Sequence, residues 1–254
     1  MIAPAVTRHT QTEWFASWFD SLYYHRLYAD REDHEAAGLV DRLIARLDPE
    51  GDASMLDLGC GAGRHAKYLA SKGFDVTGLD LSAESIRIAR RSERPNLRFV
   101  RGDMRQPFGT RAFDVVFNLF TSFGYFDDAA DNLRVIQHVA NALKTGGQFV
   151  LDYLNVHHAA QHLRADETID REDVTYQLSR WQDSAHIFKR IAIHDRRAAA
   201  PIEFIERVAK LGEHDLRFMF ELCRLRIDDL YGDYALAPFD PDSSPRLLVV
   251  ATKG

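Results

Sequence analysis

Short apolar segments alternate with helical stretches through the middle of this 254-residue chain, and this alternation constrains the fold more than any other feature. The apolar segments span 53–58, 74–79, 97–100, 113–120 and 148–151, and the helical stretches lie near 64–72, 82–92 and 128–143. Strands that alternate with helices are usually joined by right-handed crossovers into a parallel sheet. The pattern therefore predicts an α/β fold with helices on both faces of the sheet.

Turn and capping residues predict where these helices begin and end. Ser82 can cap the second helix, and either Asp127 or Asp128 can cap the third. The Gly146-Gly147 pair can end the third helix, because glycine is common just after a helix C-terminus.

The flanking segments have different periodicities. Residues 13–47 have helical spacing, and residues 172–211 contain three runs of alternating apolar residues, which predict an inserted three-stranded antiparallel sheet. A helix at 213–223 and strands at 225–231 and 246–252 follow. We interpret 1–254 as a single domain, with an N-terminal helical cap at 1–50, a Rossmann-like core at 51–155 and 212–254, and an inserted β-rich substrate lid at 156–211.

Composition argues against several classes of partner. A formal net charge of -6 gives no basic surface for a phosphate backbone, which argues against nucleic acid. Apolar runs fall short of the roughly 20 residues of a membrane span, and the N-terminus lacks a signal-peptide core, so we expect a cytoplasmic protein. Cys60 and Cys223 have no neighbours at metal-ligand spacing, so we expect no metal.

Three alternating glycines follow the first strand of the core. The segment from Met55 to Arg64 places Asp57 at the strand end and then Gly59, Gly61 and Gly63. Glycines permit a tight turn and let a ligand approach the backbone at a helix N-terminus. A dinucleotide site instead requires G-x-G-x-x-G, and a carboxylate before the glycines would repel a pyrophosphate but suit an ammonium group.

Further polar residues follow the next strands, where ligands bind in open α/β sheets. Asp80 can accept both hydroxyls of an adenosine ribose. After the strand 97–100, Gly102 precedes Asp103 and Met104, which can contact the adenine amino group and the adenine ring. Asn118 ends the strand that follows.

Each of these residues also has a structural interpretation, as a helix cap, a turn residue or part of the core. As an ordered set they favour S-adenosylmethionine over a dinucleotide or no ligand. We add Cys60, within the glycine turn, and Leu81, after Asp80, to the predicted contacts of this cofactor.

These motifs resemble those of the class I S-adenosylmethionine-dependent methyltransferases, over most of the chain. The resemblance implies a seven-stranded sheet with a reversed final hairpin. Within that family the sequence is similar to a largely uncharacterised bacterial branch. Two segments carry this similarity: Asn118 to Phe126, and a tail that runs from Gly232-Asp233-Tyr234 to Ser244-Pro245-Arg246.

A looser resemblance is to the aminosugar N,N-dimethyltransferases, which carry a similar inserted sheet. Their N-terminal Tyr, Tyr and Arg are matched by Tyr24, Tyr28 and Arg31. The resemblance implies that Tyr28 and Arg31 close over the cofactor and hold its carboxylate, a geometry that suits an arginine. Alternatively, Tyr28 packs within its helix and Arg31 pairs with Glu35.

The methyl acceptor and the catalytic groups are less constrained. Tyr125, Asp152 and His157 follow strands at the predicted ligand edge and are our candidate catalytic residues. Packing, helix capping and an ordinary loop histidine are the alternatives. The inserted sheet can be a substrate lid or the surface of a homodimer. We expect methyl transfer to nitrogen or oxygen of a small molecule; the alternatives are an NAD-dependent oxidoreductase and a non-catalytic nucleoside-binding protein.

Overall fold

The structure, a computed structural model, describes residues 7–8, 13–29 and 33–254. Its elements in chain order are β1 (Thr7–Arg8), α1 (Trp14–Phe19), α2 (Leu22–Leu27), α3 (Asp33–Leu47), β2 (Ser54–Leu58), α4 (Arg64–Ser71), β3 (Asp75–Asp80), α5 (Ala83–Ala89), β4 (Leu97–Arg101), β5 (Phe113–Asn118), α6 (Ala129–Ala142), β6 (Leu143–Leu154), α7 (Val156–Gln161), β7 (Asp166–Arg171), β8 (Val174–Gln182), β9 (His186–Asp195), β10 (Ile202–Ala209), α8 (Glu213–Leu222), β11 (Leu225–Tyr231) and β12 (Arg246–Lys253). No helix in these ranges is long and apolar enough to cross a membrane.

Within the described residues, seven strands form the main sheet in the order β11-β12-β6-β5-β2-β3-β4. Strands β2 to β6 are parallel neighbours, and β12 runs antiparallel to both β6 and β11. The predicted Rossmann-like sheet and its reversed final hairpin are therefore confirmed. The central strands are buried on both faces, as expected for a parallel sheet covered by helices.

A second sheet contains the antiparallel strands β7 to β10, with β1 parallel to β10 at one edge. The prediction of an inserted antiparallel sheet is confirmed, but the prediction of three strands was one strand short. The missed strand, β7, has the sequence Asp-Glu-Thr-Ile-Asp-Arg, in which Ile169 is the one apolar residue. As an edge strand it needs few buried side chains, so hydrophobic alternation does not reveal it.

The N-terminal helices pack on both parts of the molecule. Ser21 caps α2 by accepting a hydrogen bond from the Tyr24 amide. In α1, Trp18 is fully buried, and its ring lies 4.9 Å from that of Phe204 in β10. Helix α3 packs against α4 of the core. The N-terminal helices therefore contact both the core and the second sheet.

Two of the predicted helix boundaries are confirmed and one is wrong. Ser82 accepts from the Ser85 amide at the start of α5, and Asp128 accepts from the Ala130 amide at the start of α6. Helix α6 ends at Ala142, before the glycine pair, and the chain enters β6 directly. The pair Gly146-Gly147 instead lies in β6 where its pairing with β5 shifts register, and a Cβ on Gly147 would lie 2.9 Å from the Lys144 carbonyl oxygen.

Candidate functional site

A cavity of about 540 Å³ opens at the carboxyl ends of the parallel strands, where ligands bind in folds of this class. The turn after β2 and the residues that follow β3, β4 and β5 form one wall. Side chains of α1 and α2 form another, and Lys189, Glu206 and Val208 of the second sheet close the far side. The cavity therefore lies between all three parts of the molecule.

Most of the predicted cofactor contacts meet in this cavity. Those that line it are Tyr28, Gly59, Cys60, Gly61, Asp80, Leu81, Gly102, Asp103 and Met104. Asp57, Gly63 and Asn118 are not among the described residues that line it. Arg31 and the side chain of Glu35 lie outside the described residues.

The backbone of the glycine turn is exposed to the cavity at Gly61. This residue has φ of +54°, and a Cβ added to it would have no atom within 4 Å. The positive φ favours glycine, and the missing side chain leaves room for a ligand against the main chain. Gly61 also donates its amide hydrogen to Asp80 at 2.8 Å, which ties the turn to the end of β3.

Asp57 lies beneath this turn and is 1% exposed. One of its carboxylate oxygens accepts from the Ala66 amide at 3.1 Å, in the first turn of α4. Burial raises the pKa of Asp57 to about 7, the nearby Asp80 raises it as well, and the Ala66 hydrogen bond opposes both. The Asp57 carboxyl group thus accepts a hydrogen bond at the start of α4, and whether it is charged near neutral pH depends on its burial and on Asp80.

The raised pKa of Asp57 predicts how the free energy of unfolding depends on pH. Between about pH 4 and pH 7 the folded protein holds a proton on Asp57 that the unfolded chain releases. Asp57 therefore stabilises the fold more at acid pH, and this contribution is lost as the pH rises through about 7. We expect the free energy of unfolding of Asp57→Asn, relative to wild type, to increase from pH 5 to pH 7.5 in urea titrations.

The size of this change is bounded by about 1.4 kcal/mol for each pH unit. Asp75→Asn is the matched control, because Asp75 lies at the opposite end of the adjacent strand, with its side chain 44% exposed and paired with Arg98. If the difference between Asp57→Asn and wild type is the same at both pH values, Asp57 does not titrate in this range.

Asp80 is held at the cavity wall by two backbone donors. The amides of Gly61 and Ser82 each donate to it at 2.8 Å, to different carboxylate oxygens. Burial raises the pKa of Asp80 above its ordinary value although these hydrogen bonds oppose the shift. A carboxylate has about four acceptor positions, so this arrangement leaves capacity for ligand hydroxyls.

Asp103 is paired with a neighbouring arginine. The Arg105 side chain donates to both of its carboxylate oxygens at 2.6–3.0 Å. Burial raises the pKa of Asp103, but the hydrogen bonds and charge of Arg105 hold it below its ordinary value. The carboxylate is therefore charged at neutral pH and positioned at the cavity wall beside Met104.

An ion pair projects from the second sheet into the cavity wall. The Lys189 ammonium lies 2.5 Å from a Glu206 oxygen and donates to the Tyr28 hydroxyl at 2.6 Å. Trp18 donates its indole hydrogen to the other Glu206 oxygen at 2.6 Å. Burial lowers the pKa of Lys189, but Glu206 and Tyr28 raise it above its ordinary value, which keeps the group charged.

Glu206 was missed in the sequence analysis. The usable signal is a carboxylate at a position that shares a strand face with Ile202 and Phe204 in β10. A charged residue on an apolar face requires a partner, and Lys189 has the same relation to Ile187 and Ile191 in β9. Periodicity alone does not show that the two side chains meet.

The three candidate catalytic residues lie in different environments. Tyr125 lines the cavity, and its hydroxyl donates to the Thr121 carbonyl oxygen. Asp152 is fully buried in an ion pair with Arg246 at 2.6 Å, and His157 lies near Asp242 with its side chain 53% exposed. Asp152 and His157 are not among the described residues that line the cavity. In the described ranges, no group of three or more His, Cys, Asp or Glu side chains is placed to hold a metal ion.

Asn118 also has a buried environment. Its amide nitrogen donates to the Leu58 carbonyl oxygen at 2.8 Å and joins the ends of β5 and β2. It thus supports the sheet edge below the glycine turn.

Comparison with known proteins relates the chain to methyltransferases. Residues 55–147 match a family model described as a methyltransferase domain. The chain is 31% identical over 186 residues to the protein named as the methyltransferase YqeM of Bacillus subtilis (strain 168), covering 71% of this chain and 70% of that protein. It is 33% identical over 122 residues to the dTDP-3-amino-3,6-dideoxy-alpha-D-glucopyranose N,N-dimethyltransferase of Streptomyces fradiae, and this match covers 48% of the chain and 47% of the relative.

A solved structure extends the similarity of fold to nearly the whole chain. An S-adenosylmethionine-dependent methyltransferase from Clostridium acetobutylicum ATCC 824 superposes with a TM-score of 0.76 at 22% identity, over 94% of this chain and 98% of that one. The family match includes the glycine turn and the ends of β3, β4 and β5, which form the first wall of the cavity. The chain belongs to the S-adenosylmethionine-dependent methyltransferases of Rossmann-like fold.

Proposed function

We propose that this enzyme transfers the methyl group of S-adenosylmethionine to a nitrogen or oxygen atom of a small molecule. The small molecule binds between the main sheet and the second sheet. The observation that carries this proposal is the shared cavity, because the glycine turn and the Lys189–Glu206 pair face the same enclosed volume. A space of about 540 Å³ is in the usual range for a small-molecule site.

In this proposal the first wall holds the cofactor. Gly59, Cys60 and Gly61 present backbone to the methionine portion, and Asp57 below them attracts its ammonium group when the Asp57 carboxyl group is ionised. Asp80 accepts from the ribose hydroxyls, whereas Asp103 and Met104, with Leu81 and Gly102, contact the adenine. Tyr28 lies opposite, where α2 meets the second sheet. These assignments are supported by the presence of all the named residues except Asp57 in the cavity lining.

The cofactor supplies a methyl group on a positively charged sulfur, which a nucleophile displaces directly. The protein aligns the two reactants, and such alignment can contribute about 7–11 kcal/mol in well-oriented systems. The faces of aromatic rings attract cations, so an aromatic wall suits a sulfonium. The aromatic side chains in the cavity wall are Phe15, Phe19, Tyr24, Tyr28, Phe120, Tyr125 and Phe126.

A nitrogen acceptor has additional support from two sources. Glu206 places a carboxylate in the wall opposite the cofactor residues, where it can attract an ammonium group and take up a proton. The relative from Streptomyces fradiae is an N,N-dimethyltransferase by name. Tyr125 remains our candidate for a direct catalytic contact, and the lid role of the second sheet, a cytoplasmic location and a homodimer remain predictions.

Two measurements test the proposal. Calorimetric titration of the purified chain with S-adenosylhomocysteine, with NADH as the control ligand, tests the cofactor site. A panel of small amines and hydroxylated compounds, incubated with S-adenosylmethionine carrying an isotopically labelled methyl group, tests the acceptor. Binding of NADH alone would reject the cofactor assignment, and label found only in protein or nucleic acid substrates would reject a small-molecule acceptor.

The Lys189–Glu206 pair is predicted to serve the acceptor rather than the cofactor. The double variant Lys189→Met/Glu206→Gln removes one hydrogen bond to Tyr28 but leaves the first wall intact, so we expect S-adenosylhomocysteine affinity to fall by no more than about tenfold. Methyl transfer to the acceptor found in the panel should fall at least about a hundredfold, near the rate contribution typical of a positioned proton acceptor. Removing both charges avoids leaving one of them buried without its partner.

Arg190→Met is the matched control for the double variant. Arg190 is adjacent to Lys189 but more exposed, and it pairs with Glu203 at 2.6 Å. Its loss should leave both cofactor binding and methyl transfer unchanged. Equal effects of the control and the double variant would mean that the second sheet stabilises the fold without contacting the acceptor.

A further inference from the structure

Two adjacent residues in the cavity wall have an uncommon backbone conformation. Phe120 and Thr121 follow β5 and have φ of +59° and +57°. Left-handed φ is rare for residues other than glycine, and for a β-branched residue such as threonine it is a true outlier. Such conformations persist only where the surrounding structure imposes them, and they are frequent at functional sites. The segment that resembles the bacterial branch contains both residues.

Three groups hold this pair of residues in place: the carboxylate and the backbone carbonyl of the buried Asp152 in β6, and the guanidinium of Arg246, which is itself bound to Asp152. Its carboxylate accepts from the Phe120 amide at 2.8 Å, and its backbone carbonyl oxygen accepts from the Thr121 amide at 3.1 Å. Arg246 donates to the Asp152 carboxylate at 2.6 Å and to the Thr121 hydroxyl at 2.8 Å. Both backbone amides of the left-handed pair are therefore bound to a single buried residue.

The tail motif completes this network. Tyr234, which lies in the loop between β11 and β12, donates its hydroxyl hydrogen to Asp152 at 3.1 Å. Its ring lies 5.2 Å from the Phe120 ring, and the Arg246 guanidinium lies 5.6 Å from the Tyr234 ring. The two segments that distinguish this sequence are far apart in the chain, but both converge on Asp152.

The left-handed pair, Phe120 and Thr121, lies close to the glycine turn and to the start of α4. The Phe120 ring lies 4.6 Å from the Arg64 guanidinium and 5.1 Å from the His65 ring, at the start of α4. The next residue, Ser122, packs so closely on the turn that a Cβ on Gly59 would lie 2.6 Å from the Ser122 Cβ. A change in the conformation of the pair would therefore move atoms that shape the turn.

We propose that Asp152, with Arg246 and Tyr234, is a positioning residue that imposes the left-handed conformation of Phe120 and Thr121 and thereby shapes the cofactor-binding turn. Asp152 was one of our candidate catalytic residues. In this inference it acts through the backbone of the wall and does not touch the reacting atoms. The inference rests on the proposed cofactor site, since it predicts changes in cofactor affinity.

The test compares S-adenosylhomocysteine affinities of full-length variants by calorimetry, together with their thermal unfolding. Asp152→Asn keeps the side-chain volume but removes the charge, and we expect affinity on the order of tenfold weaker, or about 1.4 kcal/mol. Adding Thr121→Gly should restore most of the loss, because glycine adopts positive φ at no steric cost. Adding Thr121→Ala removes the same hydroxyl but keeps a Cβ, so it should restore little.

Tyr234→Phe supplies a milder variant with its own control. It removes one hydrogen bond to Asp152 and keeps the ring on Phe120, so affinity should weaken a few-fold. Tyr231→Phe removes a hydroxyl that accepts from Arg46 outside the cavity, and affinity should not change. If Asp152→Asn does not fold, the two tyrosine variants decide, and equal affinities would overturn the inference.

Two other results would also overturn it. One is wild-type affinity in a folded Asp152→Asn variant, and the other is equal recovery with Thr121→Ala and Thr121→Gly. If the wild-type chain itself does not bind S-adenosylhomocysteine, the proposed cofactor site fails, and the inference fails with it. That outcome is distinct from a wild-type protein that binds and variants that bind equally well.

Discussion

Replacing Gly61 by valine should abolish S-adenosylhomocysteine binding while the protein stays folded. A Cβ at this position would meet no protein atom within 4 Å, so the valine side chain would project into the cavity. Forcing a ligand against such a group resembles overpacking of a core, which costs about 1–3 kcal/mol and sometimes more. We expect calorimetric affinity to fall by at least about a hundredfold, which corresponds to about 2.8 kcal/mol.

Gly146→Val is the matched control for this variant. Gly146 also has a positive φ, +76°, and a Cβ there would likewise have no neighbour within 4 Å, but the residue is exposed at the register shift of β6. Both variants should lose similar stability because valine is strained at positive φ. Normal affinity in Gly61→Val, or equal loss in both variants, would mean that the turn does not contact the ligand.

The first wall of the cavity could be predicted from the sequence because its residues are close together in the chain or directly follow the ends of strands. Gly59, Gly61 and Asp80 are such residues, and the alternation of strands and helices already places them at one sheet edge. The fold was predictable for the same reason, since short strands rich in apolar residues alternate with helices along the chain. The polar edge strand β7 lacks that signal and was missed.

The wall contributed by the second sheet and the buried network around Asp152 could not be predicted, because both depend on side chains that meet across long stretches of chain. Glu206 is bound by Trp18 of α1, and Asp152 by Arg246 of β12, through contacts between distant segments. Asp152 has the residue type and the strand-end position of a catalytic acid. Only the packing shows that its carboxylate is already occupied by an arginine, a tyrosine and a backbone amide.

Replacing Asp80 by alanine should weaken binding of S-adenosylmethionine and S-adenosylhomocysteine equally, on the order of a hundredfold for each. The ribose is common to both ligands, and hydrogen bonds to a charged group contribute about 1.5–3 kcal/mol each. The change also removes the acceptor of the Gly61 and Ser82 amides, so the glycine turn loses one of its links to β3 and keeps those of the Gly59 and Cys60 amides to the Leu79 carbonyl oxygen. Competition calorimetry with the two ligands would measure both affinities on the same preparation.

The control for this variant is Asp75→Ala at the other end of β3, because its salt bridge with Arg98 is largely exposed and should contribute little. A loss confined to S-adenosylmethionine would place Asp80 near the sulfonium instead of the ribose, because the two ligands differ only in the transferred methyl group and its charge. Asp80→Asn separates the remaining contributions. Its amide keeps one acceptor oxygen for the turn but offers the ribose no charge, so intermediate affinity would assign part of the effect to the Gly61 hydrogen bond and part to the ligand.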